Sequence, residues 1–159
     1  MKKLGVLMLA ATLALSACSK PKAAEDSNLP SAANADENTM GDSDNGKAMG
    51  LQSIHFGYDA YTLDEEIKTT LKSNAQILKD KASLKIQVEG HCDARGGIQY
   101  NLGLGEKRAN MVKKFLESQG VAANRITTIS YGKEKPMDAG TTDEAYAKNR
   151  RANFAITTR

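Results

Sequence analysis

The stretch GHCDARGGIQYNLGLGEKRANMV, residues 90–112, sets an imidazole (His91), a thiol (Cys92), a carboxylate (Asp93) and two guanidinium groups (Arg95, Arg108) among glycines. Three chemistries fit those residue types: a metal site, an activated nucleophile, or a polar cradle for a charged ligand. A metal is disfavoured because neighbours on an extended chain point to alternating sides, so His91, Cys92 and Asp93 cannot all converge on one ion. His55 is the sole other imidazole in the chain. A catalytic or redox Cys92 requires a lowered thiol pKa and an oriented base. Neither a metal nor a cofactor is expected.

The cradle rests on Asp93 and Arg108. Leu104, Arg108, Val112 and Leu116 follow at four-residue steps, with Met111 and Phe115 beside them, so Arg108 projects from the apolar side of its own helix. A buried cation persists when it is paired and hydrogen-bonded, so an anion is expected nearby. The alternative is an arginine whose stem covers core surface while its head reaches water. Asp93 lies in a glycine-bordered loop before that helix, where backbone can approach a ligand closely and amide groups favour anions. The two residues could pair with each other or bind opposite ends of a zwitterion.

The elements that must position them follow from periodicity. SIHFGYDAY (53–61) alternates Ile54, Phe56 and Tyr58 and predicts a strand leading into a loop. Leu63, Ile67, Leu71, Ala75 and Leu78 predict a first helix, with acids at its start as the helix dipole prefers. SLKIQVEGH predicts a half-buried strand ending at Gly90. A second helix starts between Ile98 and Gly105 and runs to Gln119, with Gly120 as its stop. RITTISYG and RANFAITT predict two more strands, separated by a Pro136 loop and a helical turn around residues 144–148. The expected fold is α/β (α+β), ordered βαβαβ(α)β, with one layer of helices on one mixed four-stranded sheet.

The chain begins with Lys2 and Lys3, an apolar run from Leu4 to Leu15, and small residues at Ser16 and Ala17. Residues 1–17 therefore read as a secretory signal peptide, since the run is shorter than the roughly 18 residues of a membrane-spanning helix. Leu15-Ser16-Ala17-Cys18 resembles the bacterial lipobox, which implies lipidation of Cys18. Ser19, not an aspartate, follows it, so the expected address is the outer membrane, facing the periplasm. More than one acyl chain gives stable anchoring. With Cys18 acylated, Cys92 has no internal disulfide partner. Residues 18–50 are poor in large apolar side chains and read as a disordered tether, and residues 51–159 as one domain. Loss of the leader lowers the net charge from +3 to +1, which leaves no basic footprint for nucleic acid.

VEGHCDARGGIQYNLGLGEKRANMVKKFL, ISYGKEKP and KNRRANFAIT, in that order, resemble the OmpA-like peptidoglycan-binding domain over most of residues 51–159. With the lipobox and tether, the resemblance points to the lipid-anchored members that work in the Tol system. It implies non-covalent binding of the peptidoglycan peptide stem at diaminopimelate, whose far end carries an ammonium and a carboxylate. The family's ligand aspartate falls on Asp93 and its ligand arginine on Arg108, assigned to the ammonium and the carboxylate respectively. Further pocket positions carried over are Tyr58, Asp59, Arg95, Gly96, Asn101 and Leu104, with Asn149 and Arg150 bracing the loop. Tyr58 stands where phenylalanine is frequent, which keeps an aromatic wall, and Ala94 stands where an acid is common, which removes a peripheral contact. The implied role links outer membrane to wall for envelope integrity and cell division, with a TolB-like propeller protein, and other Tol proteins, as partners.

Two rival functions are weighed against this one. A peptidoglycan hydrolase needs paired carboxylates, a Ser/His/Asp set or an open metal site, and none is recognisable, so no enzymatic activity is expected. A protein adaptor without wall binding would use the same face for a Tol partner.

Overall fold

The computed structural model describes residues 40–158. The leader, Cys18 and the tether up to residue 39 lie outside them. The elements are β1 (Ile54–His55), α1 (Glu65–Asp80), β2 (Lys85–His91), α2 (Ile98–Ser118), β3 (Ile126–Gly132), α3 (Asp143–Asn149) and β4 (Arg151–Thr158), with a 3-10 turn at Ala123–Arg125. The strands form one sheet in the order β1-β4-β2-β3. β2 and β3 are parallel, and β4 is antiparallel to β2 and β1, so the sheet is mixed as expected.

Local chemistry sets the helix ends. Asp64 caps α1 by accepting from the Ile67 backbone N–H at 2.8 Å, and Glu65 and Glu66 occupy the positive first turn. α2 stops where Gly120 takes φ of 93°. There the Val121 N–H reaches back to the Leu116 carbonyl and the Gly120 N–H to Glu117, which satisfies carbonyls that the helix end would leave open. Apolar side chains of both long helices meet one face of the sheet: Leu71, Leu78, Val112 and Leu116 pack with Ile86, Val88, Ile126, Phe154 and Ile156. α2 crosses β2 at glycines. A Cβ on Gly90 would lie 2.6 Å from the Gly105 carbonyl carbon, so this approach is open to glycine alone.

Two expectations need correction. The first strand is two residues long, because the chain turns at Gly57, where the Ala60 N–H bonds to the Gly57 carbonyl, and Asp59 adopts φ of 51°. Tyr58, the third residue of the alternating set, lies beyond the strand in that turn and is 67% exposed. The disordered tether does not extend to Gly50, nor does the domain begin at 51. Residues 40–43 run along the free edge of β4, with Met40 N–H to Ile156 O, Ile156 N–H to Gly41 O and Ser43 N–H to Phe154 O. Asp44 accepts from buried Arg151 at 2.6 Å, and Asn153 Oδ1 accepts from Ser43 and Asp44. Hydrogen bonds, rather than apolar burial, hold this strap, which is why a composition rich in small polar residues conceals it.

Candidate functional site

β2 delivers Cys92 and Asp93 at its C-terminal end, the first turns of α2 deliver Tyr100, Asn101, Leu104 and Arg108, and the turn after β1 delivers Tyr58 and Asp59. Together with Arg95, Gly96 and Arg150 they line one open concavity of about 470 Å³. All eight residues expected to contact ligand are among its walls, and so is Arg150. Asn149 is not. Its amide instead ties down the loop before α3, accepting from Met137 and Asp138 N–H and donating to the Asp138 carbonyl. Of the two bracing residues, Arg150 alone acts on the pocket, donating to the Phe56 carbonyl at 3.0 Å and to Asp93 Oδ2 at 3.3 Å.

Asp93 and Arg108 share the pocket without pairing. Arg108 has no carboxylate within 4.0 Å among the described residues; the anions expected nearby, Asp93 and Asp59, share the pocket with it without direct pairing. It is fully buried. Its guanidinium donates to three backbone carbonyls, Ala60 and His91 at 2.8 Å and Gly57 at 3.2 Å, and lies 4.9 Å from the Phe56 ring centroid. Carbonyl dipoles and an aromatic face thus do what a carboxylate would have done. They leave the positive charge formally unneutralised. Burial lowers the Arg108 pKa, opposed by nearby Cys92, yet an arginine stays charged under all ordinary conditions.

Asp93 is buried and engaged by two other arginines. Arg95 Nη2 donates to its Oδ2 at 2.6 Å, and the Arg95 backbone N–H donates to Oδ1 at 3.1 Å. Burial by itself would raise the Asp93 pKa, but hydrogen bonds from Arg95 outweigh it, with Arg150 adding to them, and hold the carboxyl below the usual carboxylate range. Arg95 is stacked between the rings of Tyr58 and Tyr146, at 4.2 and 4.5 Å from their centroids, while its side chain stays 38% exposed. Gly96, at φ of 82°, turns the loop so that Asn101 Nδ2 donates to the Arg95 carbonyl at 2.7 Å. Gly97 caps α2 without a side-chain hydrogen bond, and no acid sits in the first turn of the helix.

Cys92 Sγ contacts the Asn101 carbonyl at 3.3 Å, and burial raises its thiol pKa although Arg108 opposes the shift. That is the reverse of an activated thiolate. Among the described residues, no three His, Cys, Asp or Glu side chains group to hold a metal ion. Sequence reasoning missed Tyr100, which lines the pocket, and Tyr146, which backs Arg95 from behind it. Tyr100 donates its hydroxyl to Asp59 Oδ1 across the pocket mouth. Its signal was available, since it immediately precedes Asn101 and stands four residues before Leu104, at the edge of the helix face that carries Arg108. Tyr146 comes from α3, and no local spacing linked that helix to Arg95.

Residues 55–150 match the OmpA family. The peptidoglycan-associated lipoprotein of Haemophilus influenzae is 37% identical over 151 residues, covering 94% of this chain and 95% of its own. That of Pasteurella multocida is 42% identical over 103 residues, covering 65% and 69%. The crystal structure of the peptidoglycan-associated lipoprotein from Burkholderia pseudomallei superposes with a TM-score of 0.63 at 36% identity, covering 65% of this chain and 88% of that one. The C-terminal domain of Helicobacter pylori MotB shares the fold, with a TM-score of 0.65 at 23% identity over 69% of this chain and 87% of that one.

Proposed function

The chain belongs to the OmpA family, and from that premise we propose that it binds peptidoglycan non-covalently through the diaminopimelate of the peptide stem. The reading includes a signal peptide over residues 1–17, a lipidated Cys18 in the outer membrane and a tether that ends near residue 39. The pocket thus faces the periplasmic wall. The observation that carries it is a buried guanidinium, Arg108, with no carboxylate of its own in the same concavity as a buried carboxylate, Asp93. One side of the pocket has a positive charge awaiting an anion. The other has a negative charge whose outer partner, Arg95, is exposed enough to leave.

A ligand end bearing both an ammonium and a carboxylate matches that arrangement. Its carboxylate approaches Arg108, whose five N–H donors are not all used by the three carbonyls. The ammonium takes the Asp93 oxygen that Arg95 covers in the free protein, while Arg150 stays as the fixed partner. Leu104 lines the pocket between these polar groups, and Tyr58 and Asp59 stand at its rim. The role is binding rather than catalysis. The reading extends, from the resemblance of its motifs, to partnership with a TolB-like propeller protein and a part in envelope integrity and cell division.

Calorimetric titration with a diaminopimelate stem peptide, and with the same peptide carrying lysine, tests this. Asp93→Ala and Arg108→Ala should each weaken the first by about 30-fold to several-thousand-fold, since each leaves a desolvated ligand charge unpaired. Arg108→Ala should not discriminate further against the lysine peptide, which lacks the far carboxylate. Circular dichroism checks the fold of each variant. Full-strength binding by folded variants sinks the reading, and release of soluble wall fragments would make the protein a hydrolase.

A further inference from the structure

Next to the pocket, and sharing Asp59, Tyr100 and Leu104 with it, lies a second open groove of about 610 Å³ whose other walls are Tyr61, Gln99, Gly103 and Lys107. We propose that this groove holds a second, carboxylate-bearing part of the same stem peptide, with Lys107 as its cationic contact. The inference rests on the stem-peptide reading and extends the site beyond the diaminopimelate end.

The helix geometry places the two sites side by side. Residues 101, 104 and 108 make one stripe of α2, facing the first pocket. Residues 100, 103 and 107 make the neighbouring stripe, rotated by one residue step, and face the groove. A ligand gripped by Arg108 therefore has the second stripe directly alongside, without any movement of the fold. The Tyr100 hydroxyl donates to Asp59 Oδ1 at the boundary between the two sites. A hydrogen bond does not neutralise a carboxylate, so the groove has an anionic end at Asp59 and a cationic end at Lys107, and a ligand carboxylate belongs at the Lys107 end.

The groove has the chemistry of an anion seat with apolar shoulders. Lys107 is exposed, among the described residues no carboxylate lies within 4.0 Å of its ammonium, and the Tyr61 ring centroid is 5.5 Å from it. Tyr61 and Tyr100, 40% and 59% exposed, offer ring faces to the aliphatic part of a ligand. Between them Gly103 leaves room, since a Cβ there would meet nothing within 4 Å. Glycine inside a helix is otherwise a cost of about 1 kcal/mol relative to alanine.

The test uses the full-length protein in detergent and two stem peptides. In both, diaminopimelate is acylated by a residue bearing a side carboxylate, free in one and amidated in the other. Wild type should prefer the free carboxylate by about three- to tenfold, the scale of one exposed charge pair. Lys107→Gln should erase that preference and leave the amidated peptide unchanged. Gly103→Leu, which fills open space, should weaken both peptides while keeping the fold, as circular dichroism reports. Equal binding of the two peptides by wild type, or wild-type behaviour of both variants, overturns the second seat and leaves the first pocket standing. Binding of neither peptide by wild type overturns the stem-peptide reading itself.

Discussion

Arg95 Nη2 lies 2.6 Å from Asp93 Oδ2, with the guanidinium clamped between Tyr58 and Tyr146. On the proposed reading, Arg95 occupies in the free protein the place that the ligand's ammonium would take. Tyr146 belongs to α3, so Arg95 also couples that helix to the loop after β2.

Removing the competitor should strengthen ammonium binding. Arg95→Gln is expected to raise affinity for the diaminopimelate peptide by about three- to tenfold. Without the Arg95 hydrogen bonds, burial acts on Asp93 with less opposition and its pKa should rise. Binding would then fail at a higher pH on acidification than in wild type. Calorimetry across pH, with carbon-detected NMR titration of the Asp93 carboxyl, checks both outcomes. Unchanged or weaker binding assigns Arg95 to shaping the pocket instead.

Some of this was legible beforehand and some was not. The spacing of Leu71, Leu78, Val112 and Leu116 identifies two helices and their buried faces, and Gly120 marks a stop that the structure uses. Membership of one pocket was readable for Asp93 and Arg108 from their conflicts with local environment. Their partners were not, because backbone carbonyl acceptors leave no trace in residue type and the Asp93–Arg95 pair competes with several equally plausible ones. The strap at residues 40–43 escaped because edge pairing uses main-chain groups that every residue owns.

Gly90→Ala should be far more damaging than its size suggests. The new methyl collides with the Gly105 backbone, where no side-chain rotation can relieve it. A loss of about 2–4 kcal/mol is expected. Thermal unfolding should shift down by roughly 10–20 °C. Gly103→Ala, in open space on the same helix, should stabilise by about 0.5–1 kcal/mol. Similar behaviour of the two alanines would contradict the described crossing of β2 and α2.

The strap is energetically part of the domain. Asp44→Ala leaves the 5%-exposed Arg151 without its carboxylate and should cost about 3 kcal/mol in chemical denaturation. Deleting residues 20–39 should leave the unfolding midpoint unchanged. Equal stability of Asp44→Ala and wild type would mean that the strap detaches freely.

Stability should fall on mild acidification through His91. The ring is 2% exposed, neither nitrogen has a hydrogen-bond partner within 3.5 Å among the described residues, Glu89 Oε2 stands 3.7 Å from Nε2, and burial lowers the pKa although Glu89 opposes the shift. Below the unfolded pKa of about 6.5 the unfolded chain takes a proton that the native chain refuses, so stability drops as pH falls toward the folded value. Urea unfolding at pH 7 and pH 5 should show that drop, and His91→Asn should reduce it. A slope unchanged in the variant would assign the loss to other groups.

The strap also fixes how the domain meets tension. Met40 pairs with the sheet at Ile156, whereas Asp93 and Arg150 stand at the other end of the strands, about 17 Å away along β4. A pull between the two points runs parallel to the strands. The hydrogen bonds of Met40, Gly41 and Ser43 to β4 are then sheared together instead of being peeled one after another. Under such a pull the attachment should yield at a rate set by a concerted barrier, holding under brief loads and slipping under sustained ones.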